Sequence, residues 1–111
     1  MPEALTPAVF HILLALADQE RHGYGIMQDV LERTDQQLRL GPGTLYGTIK
    51  RLLEAGQIEE AGEREEGNER RRYYRLSSSG RKIAKLEAER LENLVRVARM
   101  KKLLPKLEGV K

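Results

Sequence analysis

Gly41-Pro42-Gly43-Thr44-Leu45-Tyr46-Gly47-Thr48-Ile49-Lys50-Arg51-Leu52-Leu53-Glu54-Ala55-Gly56 is the stretch on which the fold turns. It opens on turn residues, runs about three helical turns, and stops at a glycine. Leu45, Ile49, Leu52 and Leu53 recur at helical spacing and form an inward stripe. Thr44, Tyr46, Thr48, Lys50 and Arg51 lie off that stripe. Hydroxyls and cations of this kind suit phosphate oxygens and base edges better than a catalytic pocket. Gly47 costs about 1 kcal/mol against alanine inside a helix, and close approach of a nucleic-acid backbone is one reason to keep it. The stretch reads as a recognition helix. The competing reading is an ordinary amphipathic surface helix.

Upstream, Thr6-Pro7 predicts a helix start, with a hydroxyl at the N-cap and proline at the first helical position. Val9, Phe10, Ile12, Leu13, Leu14 and Leu16 make the following segment apolar nearly all round. Such a helix belongs in the domain centre or against a second subunit. His22-Gly23-Tyr24-Gly25 breaks it, and a second helix from about Gly25 to Arg33 turns Ile26, Val30 and Leu31 inward. Residues 34–40 connect to the recognition helix.

Downstream of Gly56 the period changes from helix to strand. Gln57 to Ala61 is short and extended in character, and Arg72 to Leu76 places Tyr74 and Leu76 on one strand face. The polar, glycine-punctuated residues 62–69 between them read as the tip of a β-hairpin. Helix, helix, helix, hairpin is the order of a winged helix-turn-helix. The expected fold class is therefore mainly α with a small β-hairpin.

Ser77-Ser78-Ser79-Gly80 caps a final helix running to about Lys102, about 37 Å long. Ala84, Ala88, Leu91, Val95 and Ala98 step by four, three, four and three, a heptad seam widened by Leu86, Leu94 and Val97. Most of this stripe would project beyond a domain of about 75 residues, so its natural partner is the same helix of a second copy. Folding back onto its own domain is the alternative. Pro105 is expected to end the regular helix. The organisation is then a DNA-binding domain over 1–77 and a dimerisation helix over 78–111.

Bulk properties narrow the function. The 111 residues carry 33% charged and 40% hydrophobic side chains and a net charge of +3. The isoelectric point near 9.3 fits an anionic partner without requiring one. The absence of cysteine excludes disulfides and thiolate metal sites. Neither a signal peptide nor an apolar run long enough to span a bilayer is present, which points to the cytoplasm and away from membranes. His11 and His22 have no ligand partners at metal spacing, so core or surface roles are expected. No nucleophile with a base, paired carboxylates or phosphate-binding glycine loop supports an enzyme, and no cofactor is expected.

With these elements in order the chain resembles the PadR family of bacterial transcriptional regulators. The resemblance rests on His22-Gly23-Tyr24-Gly25 and on Gly43-Thr44-Leu45-Tyr46 running through Ile49 and Arg51-Leu52 to Gly56-Gln57-Ile58. It continues through Arg72-Tyr73-Tyr74-Arg75-Leu76-Ser77 to Gly80. It implies a dimeric winged-helix repressor whose recognition helix enters the major groove and whose wing reaches the backbone or minor groove. It further implies the compact subfamily, with a single long C-terminal helix for dimerisation. The partners are then double-stranded DNA, a second copy of the chain and a small-molecule effector between subunits. Drug-binding compact members stack planar ligands on an aromatic at the dimer centre. This chain has no tryptophan.

The candidate DNA contacts are Tyr24, Gly43, Thr44, Tyr46, Gly47, Thr48, Lys50, Arg51 and the run Arg70, Arg71, Arg72. For each a plainer role competes. Tyr46 and Tyr24 serve phosphate contact or ring packing, Thr44 phosphate contact or a helix cap, and Arg51 DNA or an ion pair with Glu54. Alternation sends Arg70 and Arg72 to one face and Arg71 to the other, and the nearby glutamates offer all three a salt-bridged hairpin instead. The dimer seam is assigned to Ala84, Ala88, Leu91, Leu94, Val95 and Ala98. Ala8, Phe10, Leu14 and Asn93 are candidates for an effector pocket beside it. A winged-helix scaffold for protein contacts, without specific DNA reading, is the alternative function.

Overall fold

The computed structural model describes residues 4–107. Four helices and a three-stranded antiparallel sheet follow one another as α1 (Pro7–Ala15), β1 (Arg21–His22), α2 (Gly23–Arg33), α3 (Pro42–Glu54), β2 (Ile58–Glu66), β3 (Glu69–Leu76) and α4 (Ser78–Met100). The mainly helical fold class expected from the sequence is the one observed.

α1 begins as predicted: Thr6 Oγ1 accepts from the Val9 N–H at 3.2 Å, with Pro7 opening the first turn. α2 starts two residues before the expected Gly25, because His22 caps it. The His22 Nδ1 accepts from the Gly25 N–H at 3.0 Å. Protonation would occupy that lone pair and remove the cap. Burial first, then the charge of Arg71, hold the His22 pKa below its ordinary 6.5, against a smaller upward pull from Glu66. A lowered folded-state value means that the unfolded chain binds the proton better. The stabilisation is therefore complete above pH 6.5 and is lost as pH falls from there through the folded value. His22→Asn keeps a capping side chain that does not titrate, so it is expected to flatten the acid side of a melting-temperature profile. An unchanged acid slope contradicts this role.

The connector between α2 and α3 is tied down by Thr34, whose hydroxyl donates to the Val30 carbonyl at 2.9 Å and accepts from the Leu38 N–H at 3.0 Å. It delivers Leu40, 3% exposed, into the core beside Ile12, Leu13, Leu16, Ile26, Val30, Leu45, Ile49, Leu52, Ile58 and Tyr74. The stripe read on α3 is thus the face that packs, with Leu53 half-buried at its margin.

The sheet departs from the sequence expectation in two ways. The residues that break α1 from α2 include a third strand, with β1 pairing Arg21 to Tyr74 and His22 to Tyr73 in the order β1-β3-β2. Residues 62–69, expected as a polar tip, are mostly strand. Only Gly67 and Asn68 turn, Gly67 taking a φ of +64° that suits glycine in a two-residue hairpin loop. A bulge at Ala61 and Gly62, with Gly62 at φ +91°, lets the register shift between Glu60 and Glu63. Beyond the core the strands have no apolar face to cover, so charged residues alternate there and the hydrophobic signal vanishes.

α4 begins where Ser77 Oγ accepts from the Gly80 N–H at 3.0 Å and donates to the Gly56 carbonyl at 2.6 Å. Its first turn lies directly on the Gln57 backbone. Ile83 and Ala84 pack on the core, and further along α4 leaves the domain, so the molecule measures 52 × 30 × 28 Å. The helix ends at Met100, two residues short of the expected Lys102 and well before Pro105. Lys102 adopts φ +65°, and the Leu103 N–H closes onto the Ala98 carbonyl at 2.9 Å. That left-handed C-terminal closure satisfies the last carbonyls before proline has any effect.

Candidate nucleic-acid interface

Three elements meet at one cleft of about 320 Å³. Tyr24 enters from the first turn of α2, Tyr46 from α3, and Arg70, Arg71 and Arg72 from β3. Tyr46 lies flat on Gly23: a Cβ there would sit 2.5 Å from the Tyr46 hydroxyl oxygen. Glycine at 23 therefore gives the ring its seat, while half of the side chain stays in solvent. The packing and phosphate readings of Tyr46 are compatible, since the ring is packed and still half-exposed. Tyr24 is similarly half-exposed, with the Arg71 guanidinium 5.7 Å from its ring centroid.

α3 presents Gly43, Thr44, Lys50 and Arg51 to solvent, with Gly47 half-buried and no side chain crowding it. Gly41 is the N-cap and makes no side-chain cap bond, so the capping role considered for Thr44 is not the one it has. As the second and third residues of the helix, Gly43 and Thr44 instead offer N–H groups that helix geometry leaves unpaired. Lys50 has no carboxylate within ion-pair distance among the described residues. Arg51 donates to Thr48 Oγ1 at 3.4 Å rather than pairing with Glu54.

Thr48 corrects the sequence reading. It is 1% exposed, because three residues after Leu45 it turns toward the core rather than toward a partner. Thr48→Val is therefore expected to leave duplex affinity within about twofold of the parent and to change stability by about 1 kcal/mol or less. A larger loss of affinity in a titration would restore Thr48 to the interface.

Ion pairs lace the wing. Arg70 Nε lies 3.8 Å from Glu63, Arg72 Nη1 3.5 Å from Glu60, and Arg71 Nη2 2.6 Å from Glu69. Arg75 pairs with Glu59 at 2.9 Å. Arg64 reaches Glu20 and stacks 3.9 Å above the Tyr73 ring, which also meets the His22 ring at an interplanar angle of 87°. Arg71 is the arginine that approaches Tyr24, while Arg70 and Arg72, expected on the opposite strand face, border the same cleft. Both readings of the arginines are physically present: they line the cleft, and each carries a carboxylate.

Residues 12–86 match the transcriptional regulator PadR-like family. This chain belongs to that family. The PadR-like chain is 36% identical over 86 residues to a transcriptional regulator of Mycobacterium tuberculosis, covering 78% of itself and 77% of that protein. It is 35% identical over 71 residues to an uncharacterized protein of Lysinibacillus sphaericus, spanning 63% of itself and 64% of that relative's length. A transcriptional regulator from Clostridium thermocellum superposes with a TM-score of 0.70 at 30% identity, over 83% of this chain and 89% of the other. Bacillus subtilis PadR, solved in complex with operator DNA, superposes with a TM-score of 0.62 at 24% identity. It shares the fold over 95% of this chain and 52% of its own.

In the PadR-like chain the seam residues are divided. Ala84 packs partly on its own core, Leu91 and Ala98 are half-buried, and Ala88, Leu94 and Val95 face solvent. The effector candidates do not share one hollow within a single chain. Phe10 lines a hollow of about 210 Å³ with Leu91, whereas Asn93 borders a groove with Val95 and Leu107. Ala8 packs against the core and Leu14 is half-buried.

Glu87, which no sequence motif singles out, is 4% exposed on α4 and joined to Arg90 by two hydrogen bonds of 2.6 and 2.8 Å. The Arg90 hydrogen bond holds its carboxyl below the usual carboxylate range. The i, i+3 spacing to Arg90 is visible in the sequence, but the burial is not. Among the described residues no group of three potential metal ligands occurs, and no helix is long and apolar enough to cross a membrane.

Proposed function

We propose that the chain is a sequence-specific DNA-binding regulator acting as a homodimeric repressor on a pseudo-palindromic operator. The observation carrying this reading is the convergence of Tyr24, Tyr46 and the wing arginines on one cleft next to the solvent face of α3. Phosphate oxygens are the natural partner of half-exposed phenols and guanidinium groups, and they fix register. Lys50, Arg51 and Thr44 on the outer face of α3 would then meet base edges and backbone in the major groove.

The homodimer is supported by Leu94, Val95, Val97 and Met100, which α4 leaves 40% exposed or more. Two copies joined there would set the recognition helices about 34–36 Å apart, one turn of duplex. An effector acting between subunits would have to bind one spacing better than the other to alter operator affinity. The hollow at Phe10 and Leu91 and the groove at Asn93 and Val95 are its two candidate seats.

A mobility-shift titration with DNA from immediately upstream of the protein's own gene, against random duplex competitor at two salt concentrations, tests the function. Preferential, salt-sensitive binding is expected, and Lys50→Ala should weaken operator and random duplex alike while lowering the salt slope by about 1. Binding without preference, in a chain that still captures a protein partner, would favour a protein-contact module.

A further inference from the structure

Charge is distributed against the DNA-binding end. Residues 1–76 carry ten Lys and Arg against thirteen Asp and Glu, whereas residues 77–111 carry ten against four. Within the hairpin, residues 58–76, five arginines face six glutamates. The wing therefore supplies no net positive field, although Arg70, Arg71 and Arg72 lie on its cleft.

The glutamates sit where a phosphate would sit. Glu63 and Glu60 lie 3.8 and 3.5 Å from Arg70 and Arg72, and Glu69 accepts from Arg71 at 2.6 Å with Glu66 a further neighbour at 4.0 Å. Carboxylates thus occupy guanidinium groups that a phosphate would also take. Most of these side chains are half-exposed or more, and exposed pairs of this kind stabilise a fold by about 1 kcal/mol at most. Folding alone gives little reason to pair every wing arginine.

Given the DNA reading proposed above, we infer that Glu60, Glu63 and Glu69 are specificity-determining residues that restrain the wing from binding DNA indiscriminately. On a random duplex each arginine must give up a carboxylate to take a phosphate, and the displaced carboxylate stays nearby, repelled by the backbone. The exchange gains little and releases few counterions. On an operator, base contacts from α3 hold the wing against the backbone, so the same exchange is intramolecular and runs at high effective concentration. The acids thus lower random-duplex affinity more than operator affinity.

The test measures affinity for operator and random duplexes by fluorescence anisotropy across a salt series. It compares the parent, the triple variant Glu60→Gln/Glu63→Gln/Glu69→Gln, single Glu63→Gln and single Glu65→Gln. Glu65 lies on the same wing, and among the described residues it holds no arginine. Random-duplex affinity of the triple variant is expected to rise about tenfold or more. Its log–log salt slope should steepen by about 0.9 for each arginine released. Operator affinity should rise less, so discrimination narrows, and Glu65→Gln should leave the slope near the parent's. An unchanged random-duplex affinity in the triple variant, with the parent still binding operator, overturns the restraint. So does an equal slope change from Glu65→Gln and Glu63→Gln, which would reduce the effect to net charge. Failure of the parent to bind any duplex would instead remove the DNA reading itself, and the restraint with it.

Discussion

Gly80→Ala is expected to lower the stability of the chain by about 3 kcal/mol or more, the upper end of the cost of overpacking. The reason is a backbone contact. A Cβ at position 80 would lie 1.8 Å from the Gln57 carbonyl oxygen and 2.8 Å from its carbon. No rotamer change relieves a clash with backbone, so α4 would have to lift from the end of α3. Lifting it also strains the Ser77 N–H bond to that same Gln57 carbonyl, 3.2 Å, and the Ser77 hydroxyl bond to Gly56. For a domain of this size the melting temperature should fall by roughly 12 °C or more. A melting temperature within a few degrees of the parent would show that α4 does not cross Gln57 so closely.

Leu94→Glu carries the second large effect, and it rests on the proposed dimer. Leu94 is 52% exposed in one chain, beside Val95 at 42%. Burying a leucine is worth about 1.5–3 kcal/mol, and a two-fold seam counts the change twice. The dimer should therefore weaken by roughly two to four powers of ten, since each 1.4 kcal/mol is tenfold. Operator affinity should fall about a hundredfold or more as two linked half-site contacts become single ones. Sedimentation equilibrium and the operator titration read these separately. A variant that stays dimeric would place the interface elsewhere.

The elements with the strongest periodic signal are legible in the sequence alone. α3 and its inward stripe, the Thr6 cap and the Ser77 cap follow from local chemistry that tertiary packing does not override. The outer hairpin is not legible, because Glu63, Arg64, Glu65 and Glu66 are all charged and carry no apolar alternation. β1 is two residues long and exists only because β3 runs beside it. At the candidate interface, Tyr46, Lys50 and the wing arginines stand where helical and strand period put them. Thr48 misleads because a hydroxyl at a boundary position looks polar in sequence yet turns inward beside Ile49. The seat of Tyr46 on Gly23 and the burial of Glu87 depend on neighbours distant in the chain, which no local pattern announces.

Selection of bound duplexes from a random-sequence library by the purified chain shows whether a homodimer reads DNA through α3. Enrichment of a pseudo-palindrome is expected, its half-sites centred one turn of duplex apart, about 10–10.5 base pairs. Recovery of unenriched sequence, or of a single site without symmetry, would contradict a homodimer that reads DNA through α3.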